Sequence, residues 1–149
     1  MNDFQIAEKK CELLFNQFAQ NMNTTTQELI SKIKYTPVEK KYDVYFFSGV
    51  TPFIGELKNI SKEYSNYGIE EDKYLALKKL FTLHNISPLY ILFLPNGKTK
   101  VVQLELMFAN ENKLQTKFWN CPKKTLENCG TQNKKFFILE EKYLTNYQF

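Results

Sequence analysis

Asp43, Glu56 and Lys58 are the residues whose types and spacing could do chemistry together. They lie on two stretches rich in β-formers, 42–48 and 52–60, which flank Gly49-Val50. Glycine at the first central position suits a type II′ hairpin turn. A symmetric turn there pairs Ser48 with Thr51, Phe47 with Pro52, Phe46 with Phe53, Tyr45 with Ile54, Val44 with Gly55 and Asp43 with Glu56. Side chains alternate along a strand. Asp43, Tyr45, Ile54, Glu56 and Lys58 therefore share one face, and Val44, Phe46, Phe53 and Leu57 share the other. Directly opposed carboxylates have Cβ atoms about 5 Å apart and repel. A divalent cation offsets that repulsion, because Mg²⁺ favours one or two carboxylates together with water and phosphate oxygens. The plain alternative is a solvated Glu-x-Lys strand face, or a bulge at Pro52 that shifts the register.

The elements that must position these residues follow from periodicity. Residues 3–22 read as an amphipathic helix capped by Asp3. Phe4, Ala7, Cys11, Leu14, Phe15, Phe18 and Met22 form its apolar stripe. Thr24 to Thr26 offer a second cap, and Leu29, Ile30 and Ile33 give a short helix its inner side. Pro37 and Glu39-Lys40-Lys41 mark a loop, with a short strand open near 33–36. Beyond the hairpin, 61–68 is polar and turn-prone. From Ile69 to about His84 the spacing is helical, with Leu77, Leu80 and Phe81 inward. Residues 89–94 form an apolar run suited to a strand buried on both faces. Pro95-Asn96-Gly97 is a turn, 101–108 reads as a strand, 111–133 is polar and poorly patterned, and 136–139 suits a last strand before a short polar tail. The order is helix, hairpin, helix, strand, strand, which gives one α/β layer domain over residues 1–149.

Asp43 before an apolar strand, then the hairpin and Gly55-Glu56-Leu57-Lys58, resembles the PD-(D/E)xK nuclease signature. Archaeal-type Holliday junction resolvases and many restriction and phage nucleases belong to that superfamily. The resemblance spans roughly residues 4–95 as topology. It implies a restriction-endonuclease-like αβββαβ core, a mixed central sheet flanked by helices. Tyr42 stands where the signature has proline, and the strand expected before Asp43 is poorly visible. By resemblance, Asp43 and Glu56 hold Mg²⁺ (Mn²⁺ as substitute), and the Leu57 carbonyl supplies a further oxygen. The metal then positions and acidifies a water for in-line attack on a DNA phosphodiester. Lys58 orients that water or stabilises charge on the phosphate. Glu8 supports the metal's water shell, with Glu12 the weaker alternative, and Lys73 grips a phosphate. Glu8 reads equally as a surface carboxylate and Lys73 as a solvated lysine. The same resemblance admits a catalytically inactive relative that binds nucleic acid or a protein partner.

Composition sets outer bounds. The net charge of +4 permits a polyanionic partner without requiring one. All 20 basic residues are lysine, so guanine cannot be read by arginine forks. AT-rich coding explains that bias most simply, and lysines at 98, 100, 123, 124, 134 and 135 could still track phosphates. Phe118 and Trp119 could stack on bases, although packing a late core element is the commoner use of such a pair. Cys121 and Cys129 are too far apart for a zinc knuckle, and the lone His84 suits a helix C-terminus. A disulfide stays open. Nothing resembles a signal peptide or a membrane span, so the expectation is a cytoplasmic nuclease of the kind phages and mobile elements carry. A homodimer is compatible with the sequence.

Overall fold

The computed structural model describes residues 2–21, 43–48, 51–122 and 131–148. Helix α1 (Asp3–Asn21) opens on a capping box that makes Asn2, not Asp3, the cap. Gln5 N–H donates to Asn2 Oδ1 at 2.8 Å, and Asn2 N–H donates to Gln5 Oε1 at 3.1 Å. Cys11, Leu14, Phe15 and Phe18 pack on the core, and Phe15 is fully buried.

Strands β1 (Val44–Ser48) and β2 (Thr51–Asn59) pair antiparallel in the register the symmetric turn requires, from Ser48↔Thr51 to Val44↔Gly55. The Gly49-Val50 turn itself lies outside the described residues. So do the proposed helix and strand within 22–42, Cys129 and the lysines at 123 and 124. β2 runs parallel to β4 (Ser87–Phe93), which is buried along almost its whole length. A parallel neighbour needs a crossover. Here β3 (Gly68–Glu70) and α2 (Glu71–His84) supply it. α2 buries Tyr74, Leu77 and Leu80, and stops at Asn85, whose N–H donates to the Phe81 carbonyl and whose left-handed φ of 53° turns the chain out of the helix. β5 (Lys98–Gln103) and β8 (Leu144–Gln148) complete a mixed sheet in the order β1-β2-β4-β5-β8. Helices flank it. α1 covers the face carrying Phe46, with Phe15 5.3 Å from Phe46 and Phe18 5.6 Å from Tyr147. α2 lies over the face that carries Glu56 and Tyr90, to which Lys73 reaches. No helix among the described residues is long and apolar enough to cross a membrane.

Several elements differ from the sequence reading. The chain forms β3 before α2, so the helix starts at Glu71 rather than Ile69. The strand read over 101–108 ends at Gln103 and becomes the short helix α3 (Leu104–Phe108). Leu104 and Met107 are buried there at i,i+3 spacing while Leu106 is exposed, a period that no strand can present. The polar stretch 111–133 contains β6 (Thr116–Pro122), and the last strand is longer than expected, as β7 (Thr131–Ile138). These join β3 in a second sheet ordered β3-β7-β6. The polar tail is β8, which pairs with β5.

The hairpin depends on a missing side chain. A Cβ added at Gly55 would lie 2.6 Å from Cγ2 of its fully buried partner Val44. Valine is stiff at χ1 and cannot swing aside. Gly55→Ala should destabilise by about 1–3 kcal/mol in urea unfolding. The same change in a Val44→Ala background should cost clearly less. Equal costs in both backgrounds would show that the contact is not what limits the position.

Candidate functional site

The ladder between β1 and β2 ends in a way that re-aims Asp43. Asp43 N–H donates to the Gly55 carbonyl at 2.9 Å, although Gly55 is already the partner of Val44. Two residues then oppose one, which is the pattern of a β-bulge. The regular pairing of Asp43 with Glu56 expected from the sequence therefore stops one residue short. The bulge swings the Asp43 side chain across the strand end, where Oδ2 accepts the Leu57 N–H at 2.8 Å. The carboxylate stands in for the carbonyl that a longer β1 would have offered. Asp43 is exposed and Glu56 is only 9% exposed, so the two acids meet at the boundary between solvent and core.

Glu56 is the one buried charged residue among the described residues. It sits on β2 beside Tyr90 of β4, on the face opposite Phe53, Gly55 and Leu57. Lys58 is on the same face two residues on, exposed, and without a hydrogen bond or ion pair among the described residues. Lys73, in the first turn of α2, brings Nζ to 2.5 Å from Glu56 Oε1. Residues 17 positions apart are thus joined, and the helix placement inferred for Lys73 is realised as an ion pair.

Electrostatics give the site its character. Burial raises the Glu56 pKa above the ordinary carboxylate range, and the Asp43 charge raises it further. Lys73 and Lys58 pull it down but do not overcome these effects. Burial opposes the Lys73 charge, yet the attraction of Glu56 and then Asp43 wins, and the Lys73 pKa is raised. The cluster therefore sets two carboxylates against two lysines, and burial is the largest influence on Glu56. Tyr90 is raised by burial and then by Glu56, Glu70 and Asp43, so its hydroxyl stays neutral. Cys11 is raised by burial and by Asp43, which places the α1 thiol beside the same end of the hairpin. Glu8 and Glu12 lie on α1 within a turn of Cys11, but their side chains are outside the described part of the chain.

The site opens into a cleft of about 660 Å³ between the two sheets. Lys58 and Lys73 line it, with Tyr90 and Leu92 from the large sheet. Lys117, Trp119, Lys134 and Phe136 line it from the small sheet. Their register places Lys117 opposite Phe136 and Trp119 opposite Lys134, so all four share one face. The sequence reading missed this wall. Its signal was alternation of lysine with an aromatic, at 117/119 and again at 134/136. Phe118, expected with Trp119 to pack a late core element, is instead 67% exposed, on the strand face opposite Trp119. Lys98 and Lys100, considered as phosphate trackers, pair with Glu63 and Glu141. Lys134 and Lys135 pair with Glu70 and Glu71.

The two carboxylates are hard oxygen donors, the kind that a cation such as Mg²⁺ favours. Two carboxylates meet; among the described residues no group of three or more His, Cys, Asp or Glu could hold a metal ion. Because the Glu56 pKa is raised, its ionised form is the costly one in the fold. That cost is absent below the ordinary carboxylate range and appears as pH rises through the raised value. In carboxyl-detected NMR titration, Asp43→Asn should move Glu56 back toward the ordinary range, and Lys73→Met should move it further up. An unmoved Glu56 in both variants would refute the coupling.

Comparison with protein-family models, with curated proteins and with solved structures returns no match to this chain.

Proposed function

We propose that the chain is a Mg²⁺-dependent nuclease that hydrolyses phosphodiester bonds in DNA. The observation that carries this reading is a buried carboxylate on β2, Glu56, with Asp43 near enough to raise its pKa, Lys73 paired with it and Lys58 on the same strand face. The strand arrangement supports it. An antiparallel hairpin, a helical crossover to a parallel strand and an antiparallel fifth strand suit a restriction-endonuclease-like core, whose further strand would precede Asp43.

In this reading Asp43 and Glu56 hold Mg²⁺. Leu57 N–H faces the β1 side, and strand alternation carries its carbonyl to the same side, within reach of the pair. Bound Mg²⁺ supplies a positive charge for phosphate oxygens and acidity for an attacking water. Lys58 orients that water and stabilises the charge that grows on the phosphate. Lys73 exchanges Glu56 for a substrate phosphate, a role open to a flexible ammonium. Glu8 would support the metal's water shell from α1.

A second reading has its own observation. Lys73 already partners Glu56, and Asp43 already accepts the Leu57 N–H, so the cluster can persist as a structural relic. The chain would then bind nucleic acid or a protein partner without cutting. Incubation with single-stranded, duplex and branched DNA in Mg²⁺ or Mn²⁺ separates the two. Cleavage should occur. Lys58→Ala should lower it by about 10²–10³-fold, and Glu56→Ala should remove both cleavage and the heat of Mn²⁺ binding in calorimetry. Absence of cutting and of Mn²⁺ heat in the wild type would sink the nuclease and leave the second reading.

A further inference from the structure

The cleft between the sheets has a composition that the metal chemistry alone does not call for. Its volume falls within the range of roughly 300–1,000 Å³ typical of ligand sites, at about 660 Å³. One wall is aromatic. Trp119 and Phe136 lie 4.7 Å apart between ring centroids on adjacent strands. Gly68 sets the indole in place, because a Cβ there would lie 2.8 Å from Trp119 Cζ3 and 3.1 Å from the Phe137 carbonyl. No larger residue at 68 lets the indole lie this close to β3. Tyr64 and Tyr67 stand at another side, ring to ring in an edge contact at 6.2 Å.

The charges complement that wall. Lys58, Lys73, Lys117 and Lys134 line the cleft, against Glu70 alone among its acidic liners. Lys134 is 3.6 Å from Glu70 and Lys73 is held by Glu56. Lys58 and Lys117 have no ion pair among the described residues and stand one on each sheet. A ligand that fits must offer a flat π-face for the aromatic wall and anionic groups on both sides of it. A nucleotide unit within a strand has that form, with a base between two phosphates. Aromatic stacking plus cationic tracking of the backbone is the general solution for unpaired strands. A base within a duplex is already stacked on its neighbours and cannot enter.

We infer that the cleft seats an unpaired base of a single-stranded nucleic-acid segment against Trp119, with the flanking phosphates at Lys58 and Lys117. This deepens the nuclease reading and rests on it for the cutting position, since Lys58 belongs to both cleft and site. The strand that is cut is therefore single-stranded or locally unpaired where it meets Lys58.

Trp119 is the only tryptophan in the chain, so its fluorescence reports this wall alone. In EDTA, without metal, titration with an oligothymidylate should quench it saturably. Labelled-oligonucleotide anisotropy should show Trp119→Ala binding about 5- to 150-fold more weakly. Lys117→Ala, at an exposed position outside the core, should weaken binding and reduce the salt slope by about 0.7. If Trp119→Ala does not fold, the wild-type quench and Lys117→Ala decide. The inference is overturned by absent quenching, by duplex or free thymidine monophosphate quenching as well as the strand, or by an unchanged Lys117→Ala. Metal-dependent cutting of duplex without strand quenching sinks the cleft inference and spares the nuclease. Quenching with neither cutting nor Mn²⁺ heat sinks the nuclease and spares the strand seat.

Discussion

A carboxylate on an interior strand is the constraint around which this molecule is arranged. Glu56 lies on β2, with β1 on one side and β4 on the other, and its side chain is almost out of water. Removing an ionised carboxylate from water costs several kcal/mol unless a partner offsets it. The fold offers two remedies: a proton, which burial favours by raising the pKa, and a cation, which pulls it back down. The cation at hand is Lys73, and its delivery explains the crossover. β3 pairs with β7, Glu70 ends the strand, and α2 begins at Glu71 so that its first turn stands over β2. Lys135 meets Glu71 at 2.9 Å and Tyr74 packs 4.5 Å from Phe137, which ties that turn to the small sheet. The small sheet thus anchors the helix that supplies Lys73.

The bulge at Asp43 is the second half of the same arrangement. A regular ladder would set Asp43 flat against Glu56 and maximise their repulsion. Shifting the backbone by one residue gives the Asp43 carboxylate an N–H donor at Leu57 instead. The acid is stabilised by that bond while remaining close enough to raise Glu56. Two acids are held near each other without either being orphaned.

How much of this could be read from the sequence depends on what carried the signal. The hairpin register was legible because a two-residue turn leaves one pairing and an apolar alternation confirms it at Val44, Phe46, Phe53 and Leu57. β4 was legible because a strand covered on both faces is apolar at every position. α2 followed from helical spacing, and Lys73 was singled out only by the resemblance. The small sheet was not legible. β6 alternates lysine and aromatic toward a cleft, with polar residues and Phe118 on its other face, so its period resembles neither a core strand nor a solvated one. The 104–108 segment was misread because five apolar-rich residues fit either period until burial shows which of them point inward. The bulge was misplaced for a different reason. Pro52 drew attention as the residue that cannot donate, yet it pairs in register with Phe47, and the irregularity falls where β1 runs out of partners.

The shared lysines tie cleft and acidic cluster into one electrostatic unit. Lys73 lines the cleft and also neutralises Glu56. On the nuclease reading, a phosphate entering the cleft competes with Glu56 for the Lys73 ammonium. Each Lys73 drawn to the phosphate leaves Glu56 with Asp43 as its nearest charge, which makes a divalent cation there more favourable. The converse holds equally, since a cation on the two carboxylates loosens Lys73 and frees it for phosphate. Such coupling is reciprocal by thermodynamic necessity. On that reading metal and strand would reinforce each other's binding, whereas without either the Lys73–Glu56 pair holds the site as it stands. On the same reading, a lysine whose resting partner is the buried acid would keep the cluster folded and yield when both ligands arrive.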